Sequence, residues 1–295
     1  MISGSIVALV TPMQEDGSVD YEALHRLVDW HVEEGTDAIV SVGTTGESAT
    51  LGQEEHCQVI RRTIEFVDKR IPVIAGTGAN ATSEAVHLTK RAAEMGADAC
   101  LLVTPYYNKP TQEGLYRHYM TIADAVDVEQ VLYNVPGRTA VNMAIETSVR
   151  LSQHENIVGL KEAADDSADR VAPLRQLCGD AFALYSGNDD SARQFVLNGG
   201  NGVISVTSNV SPGLMHQMIA AALAGDQQGS IQLDQPLLLL HERLFVQSSP
   251  IPVKWALAEM GRIGKGIRLP LTWLEEQFHE SVFEAMRQAK IIQDL

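Results

Sequence analysis

The chain has 295 residues, 45% of them hydrophobic, and a formal net charge of −16. That length and apolar content support one sizeable core. The acidic balance argues against nucleic acid and against an anionic membrane surface, yet a single well-placed arginine can still hold a small anionic substrate.

The first apolar run, SIVALVTP (5–12), is too short and lacks the basic start of a secretion signal. Asp20 then stands where it can cap YEALHRLVDWHVEEG, whose Leu24, Leu27 and Val28 share one face and which ends at Gly35. The pattern repeats. Runs at 37–47, 71–80, 97–107, 129–139, 156–163, 182–189 and 200–209 bring the count of strand-like segments to eight, with connections between them long enough for helices. QEEHCQVIRRTIEFV carries Ile60, Ile64 and Val67 on one stripe, and SEAVHLTKRAAEMG carries Ala85, Leu88, Ala92 and Met95. The strand runs are continuously apolar rather than alternating, as in a parallel sheet buried on both faces.

This order predicts a (β/α)8 TIM barrel over 1–225, followed by a C-terminal helical region over 226–295. A doubly wound open sheet is the competing arrangement, but the first loop, TPMQEDG, is no glycine-rich phosphate fingerprint. The C-terminal region reads as helices over 211–225, 230–246, 252–261 and 271–292, the last with Leu274, Phe278, Val282, Ala285 and Ala289 as its stripe. No stretch is long and apolar enough to span a bilayer. Cys57, Cys100 and Cys178 form no CxxC pair and read as reduced thiols in a cytoplasmic protein, with Cys100 a small core residue.

Barrel chemistry sits at the C-terminal ends of the strands. Lys161 closes the run NIVGLK there. A lysine crowded by strands loses hydration, which frees its neutral amine to attack a carbonyl. An ion pair with Glu162 is the alternative, and the residues alone leave both open. Tyr133 can relay protons or can be an ordinary core aromatic, but four of the seven tyrosines (106, 107, 133 and 185) fall at strand ends. GTTGES presents the hydroxyls of Thr44 and Thr45 and backbone N–H groups to a carboxylate, or is simply a turn and helix cap. Arg138, after the rigid NVPG turn, can grip a carboxylate or stand in solvent. None of the nine histidines lies at a strand end and no zinc spacing occurs, so no metal is expected. SGNDD after the seventh strand disfavours a phosphorylated substrate.

GTTGE, TPYYNKP, YNVPGRT and GLKEA, in this order, resemble the dihydrodipicolinate synthase family of Schiff-base class I aldolases, over essentially the whole chain. The resemblance implies a barrel, often homotetrameric, that needs no cofactor. It implies condensation of pyruvate with L-aspartate-4-semialdehyde in lysine and diaminopimelate synthesis. By matching position, Lys161 forms the imine and Tyr133 relays protons. Thr44 links Tyr133 to Tyr107, which reaches the site from a neighbouring subunit. Thr45 holds the pyruvate carboxylate, Arg138 holds the semialdehyde carboxylate, and Gly187 and Ile204 line the imine pocket. A feedback site for L-lysine falls on Ser48, Ala49, Gln53, His56, Asn80, Glu84 and Tyr106. Gln53 stands where lysine-sensitive members often carry histidine. Without the resemblance, His56 and Glu84 read as a solvated helix face. Rival readings are a sister lyase acting on sialic or keto-deoxy sugar acids, and a non-catalytic keto-acid sensor.

Overall fold

A computed structural model describes residues 1–292; the last three residues of the expected C-terminal region lie outside it. The eight expected runs form strands: β1 (Gly4–Ala8), β2 (Ala38–Ser41), β3 (Val73–Gly76), β4 (Ala99–Val103), β5 (Glu129–Asn134), β6 (Ile157–Glu162), β7 (Ala183–Ser186) and β8 (Gly202–Ser205). Each pairs in parallel with the next, and β1 pairs with β8 (Ile6 opposite Ile204), closing the barrel. Both faces of the sheet are buried, which is why the runs do not alternate in polarity. Ile6, Ala38, Ile74, Leu101 and Tyr133 point into the barrel, whereas Val7, Ile39, Val73, Leu102 and Leu132 pack outward against helices. Cys100 is buried in the outer layer, as expected.

The barrel helices are α1 (Tyr21–Glu33), α2 (Gln53–Val67), α3 (Thr82–Met95), α4 (Gln112–Ala125), α5 (Pro136–Thr139), α6 (Ile145–Leu151), α7 (Ser167–Cys178), α8 (Ala192–Leu197) and α9 (Pro212–Leu223). Asp20 Oδ1 accepts the N–H of Ala23 at 2.9 Å, the cap predicted for α1. Then follow α10 (Gln227–Asp234), α11 (Leu238–Arg243), α12 (Ile251–Glu259) and α13 (Glu276–Gln288).

Two C-terminal expectations are corrected. The helix over 230–246 breaks into α10, a 3-10 turn at Gln235–Leu237 and α11. Pro236 lacks the N–H that a continuous helix needs. The helix over 271–292 begins only at Glu276. Leu274 is buried, but on the extended approach rather than on the helical stripe.

The helical tail is bolted to the barrel by a buried ion pair. Glu47, in the left-handed conformation with φ 59° at the end of the GTTGE turn, pairs with Lys254 of α12. Both side chains are buried. Burial pulls the Lys254 pKa down, and Glu47 opposes that pull. The second Glu47 oxygen accepts the backbone N–H of Arg268 at 3.2 Å, and Arg268 grips Glu55 of α2 at 2.6 and 2.7 Å. Removing one partner of such a pair strands a charge in the interior. Glu47→Ala is therefore expected to cost about 3–5 kcal/mol in equilibrium urea unfolding. A loss below about 1 kcal/mol, the range of exposed pairs, would show that the pair is not the bolt described.

Candidate active site

The alternation of side chains along β6 separates its last two residues. Lys161 points into the barrel and Glu162 points out toward α7. Glu162 accepts from Asn134 Nδ2 at 2.8 Å and from the Ala164 N–H at 2.9 Å. Its other oxygen lies 2.9 Å from Arg170 Nε, close enough for an ion pair but without hydrogen-bond alignment. Glu162 is thus spoken for, and the Lys161–Glu162 pair is excluded.

Lys161 is only 6% exposed. Its Nζ stands 4.2 Å from the centre of the Tyr133 ring, across the register pair that joins β5 to β6. Burial brings its pKa down to about 7; Asp189 pulls it up and Arg138 pushes it further down. A large fraction of the amine is therefore neutral near neutral pH. Burial pushes the Tyr133 phenol up to about 12, against the opposing effects of Arg138 and the Thr44 hydroxyl. A phenol protonated at neutral pH, beside an amine that is partly neutral, has the protonation state that proton relay requires.

A cavity of about 160 Å³ opens above Lys161, with Thr44, Thr45, Tyr133, Arg138 and Gly187 on its walls. Gly187 is required: a Cβ there would lie 2.6 Å from Ala163 Cβ and 3.0 Å from Lys161 Cε. Arg138 Nη2 donates to the Ser249 carbonyl at 3.1 Å, which holds the guanidinium at the rim. The arginine is exposed yet oriented, not a free loop cation.

Other expected residues stand elsewhere. Ile204 lies in the barrel-interior cluster and is absent from the cavity wall, where Val206 supplies that segment's side chain. Tyr107 is 90% exposed with φ 74° and does not meet Thr44 or Tyr133 within this chain. Tyr185 departs from the strand-end tyrosine group: its hydroxyl donates to the Ile2 carbonyl at 2.6 Å, at the opposite end of the barrel. The two hydroxyls near the end of β8 are also engaged: Ser205 Oγ accepts the Ser208 N–H, and the Thr207 hydroxyl, which stands near the end of that strand run as a further candidate, bonds His241 Nδ1. Sequence reading missed Asn188, Phe245 and Ser249, which also line the cavity. The last two come from the C-terminal region, where no strand end points to a site.

A second cavity of about 240 Å³ adjoins the first and shares Thr44 and Arg138 with it. Ser48, Ala49, Gln53, His56, Glu84 and Tyr106 line it. Asn80 stands beside them, its Nδ2 donating to the Tyr106 carbonyl at 3.2 Å. Gln53 Nε2 donates to Glu84 Oε1 at 3.0 Å. His56 is not a solvated helix residue. It is buried, with Nε2 2.7 Å from the Gly76 carbonyl, and burial lowers its pKa. A neutral imidazole donating to that carbonyl satisfies the geometry. Among the described residues no three His, Cys, Asp or Glu side chains are grouped to hold a metal ion, and no helix is long and apolar enough to cross a membrane.

A model of the dihydrodipicolinate synthetase family matches residues 1–289. A protein of Methylococcus capsulatus named 4-hydroxy-tetrahydrodipicolinate synthase is 61% identical over 292 residues, 99% of this chain and 100% of its own length. The structure of the chloride-inhibited dihydrodipicolinate synthase from Acinetobacter baumannii complexed with pyruvate superposes with a TM-score of 0.97 at 54% identity, over 99% of this chain and 100% of that one. The enzyme from Cyanidioschyzon merolae with lysine bound gives 0.94 at 39% identity, over 99% of both chains.

The close fit at Gly187 generates a direct test. Gly187→Ala is expected to keep the circular dichroism of the folded barrel but to form an imine with a small keto acid about a hundredfold more slowly, because the overlap with Ala163 Cβ and Lys161 Cε shifts the loop and the lysine stem. An unchanged rate would mean that the Lys161 position is not set by this contact.

Proposed function

The chain belongs to the dihydrodipicolinate synthetase family, and we propose that it condenses pyruvate, held as an imine on Lys161, with L-aspartate-4-semialdehyde. In this reading it is a carbon–carbon lyase of the class I aldolase type, serving lysine and diaminopimelate synthesis. The observation that carries the assignment is a buried lysine whose pKa is lowered to about 7, set against a protonated phenol in a cavity of small-substrate size.

The steps follow from the groups present. Neutral Lys161 attacks C2 of pyruvate, and the carbonyl oxygen leaves as water. The cationic imine acidifies the former methyl group, and loss of one of its protons gives an enamine. The enamine carbon attacks the aldehyde, and the new alkoxide takes a proton. Tyr133 is the proton relay. Thr45 is assigned to the pyruvate carboxylate. Arg138, already oriented at the rim, takes the carboxylate of the incoming aldehyde. Gly187 leaves room for the imine, and Ile204 supports the pocket from beneath.

Tyr107 is assigned to the site of a neighbouring subunit, linked there to Tyr133 through Thr44. Its exposure and strained backbone in the single chain support that use. A homotetramer is the proposed assembly. The second cavity is assigned to L-lysine as inhibitor, with Glu84 for an ammonium and the Asn80–Tyr106 corner for the carboxylate. Gln53, bonded to Glu84, has no positive charge to contribute there. A cytoplasmic setting fits the three unpaired cysteines.

One assay addresses these assignments. With pyruvate fixed, a panel of aldehydes is expected to give turnover with aspartate-4-semialdehyde and little with polyol aldehydes. L-lysine lowers the rate, and dilution that separates subunits lowers specific activity. Turnover with sugar-derived aldehydes in preference would contradict the substrate assignment. Indifference to lysine, or to dilution past dissociation, would contradict the effector and Tyr107 assignments respectively.

A further inference from the structure

Asp189 is a buried carboxylate that the scheme above does not use. It follows β7 by three residues and is 4% exposed. One oxygen, Oδ2, accepts the backbone N–H groups of Val206 and Thr207, both at 3.0 Å. The other, Oδ1, is buried with no hydrogen-bond partner among the described residues. A carboxylate oxygen left bare in the interior is costly, and such exceptions call for an explanation. Both segments that Asp189 ties together border Lys161. Gly187 abuts the lysine stem, and Val206 stands on the wall of its cavity.

We propose that Asp189 is the counter-charge of the imine, a positioning carboxylate that stabilises the cationic nitrogen formed on Lys161 without pinning the free amine in a hydrogen bond. The inference rests on the Lys161 imine assigned above. The chemistry creates charge where there was none. The neutral amine adds to C2 of the keto acid, and one N–H proton passes to the carbonyl oxygen. With a further proton that oxygen leaves as water, and Nζ is left with a C=N double bond and one positive charge. Lys161 is buried, so water offsets little of that charge and a fixed negative group is needed. A carboxylate in direct contact would instead hold the resting lysine as ammonium and suppress the nucleophile. Asp189 makes no hydrogen bond to Lys161, yet its field reaches the amine and favours the cation.

The surrounding charges define the controls. Tyr133 and Arg138 face Lys161 from β5 and α5. Asp165, Asp190, His241 and Glu242 line the outer groove that Asp189 also borders, and His241 is held by Thr207 and Asp234. Asp190 is therefore the matched carboxylate on the same loop.

The test compares Asp189→Asn and Asp190→Asn in the intact protein, using pyruvate as the probe. An asparagine oxygen can still accept from Val206 and Thr207, so the loop clamp survives. Asp189→Asn is expected to weaken the imine equilibrium about tenfold or more. It also moves the acid limb of imine formation to lower pH, because the amine deprotonates more easily without the carboxylate. Asp190→Asn changes neither. An Asp189→Asn protein with the wild-type equilibrium and pH profile would overturn the proposal, as would equal effects from both variants. Should Asp189→Asn fail to fold, the wild-type protein with 13C2-pyruvate decides. The imine C2 resonance is expected to hold its protonated position from about pH 6 to about pH 9, and a titration inside that window overturns the counter-charge. A wild-type protein that forms no imine at all overturns the parent assignment as well, so the two failures are distinguishable.

Discussion

The site depends on one geometric constraint: the pleat of β6 sends Lys161 inward and Glu162 outward. Had the two shared a face, they would have neutralised each other as an ordinary ion pair. Instead Glu162 is consumed by Asn134, Ala164 and Arg170. That outer network ties β5 to β6 and fixes the register in which Tyr133 faces Lys161. The inner face is left with an amine that has lost its water and gained no contacting anion. Its lowered pKa follows from that loss, and the phenol beside it stays protonated for the same reason.

A second constraint holds the roof of the site. Thr44 and Thr45 belong to a turn in which Val42 and Glu47 both adopt positive φ. Gly76 is needed beneath it, because a Cβ there would lie 2.2 Å from the Val42 carbonyl oxygen. The strain is held by Glu47, whose carboxylate is buried against Lys254. The tail thus does more than cover the barrel: α12 anchors the turn, and the segment before it gives Ser249 to the cavity rim and to Arg138. Thr44 and Arg138 stand on both cavities, so a ligand in the second one touches groups that face the first.

The barrel was legible because strands buried on both faces announce themselves as continuous apolar runs between amphipathic helices. Lys161, Tyr133, Thr44, Thr45 and Arg138 share one cavity because all five stand at the C-terminal strand ends, the address of barrel chemistry, whereas the pocket role of Gly187 on the same wall came only through the resemblance. What escaped has physical reasons. The Glu47–Lys254 pair joins residues 207 positions apart, and nothing local marks either partner. His56 reads as polar surface on a helical wheel, but its neighbour is the end of β3, and a carbonyl there makes burial affordable. Pro236 was passed over inside an apolar stretch, although its missing N–H breaks the helix. Tyr185 sits in a strand like the others, but its long side chain reaches the opposite end of the barrel. Tyr107 stands exposed and meets neither Thr44 nor Tyr133 within the chain.

The central claim is that a desolvated, unpaired lysine is the nucleophile. Borohydride reduction in the presence of pyruvate, followed by peptide mass mapping, tests it most directly. The account predicts a single pyruvyl adduct on Lys161, with trapping that rises as pH passes through about 7 and then levels. No adduct on folded protein, an adduct on another lysine, or a rise only at the pH of an ordinary lysine would contradict it.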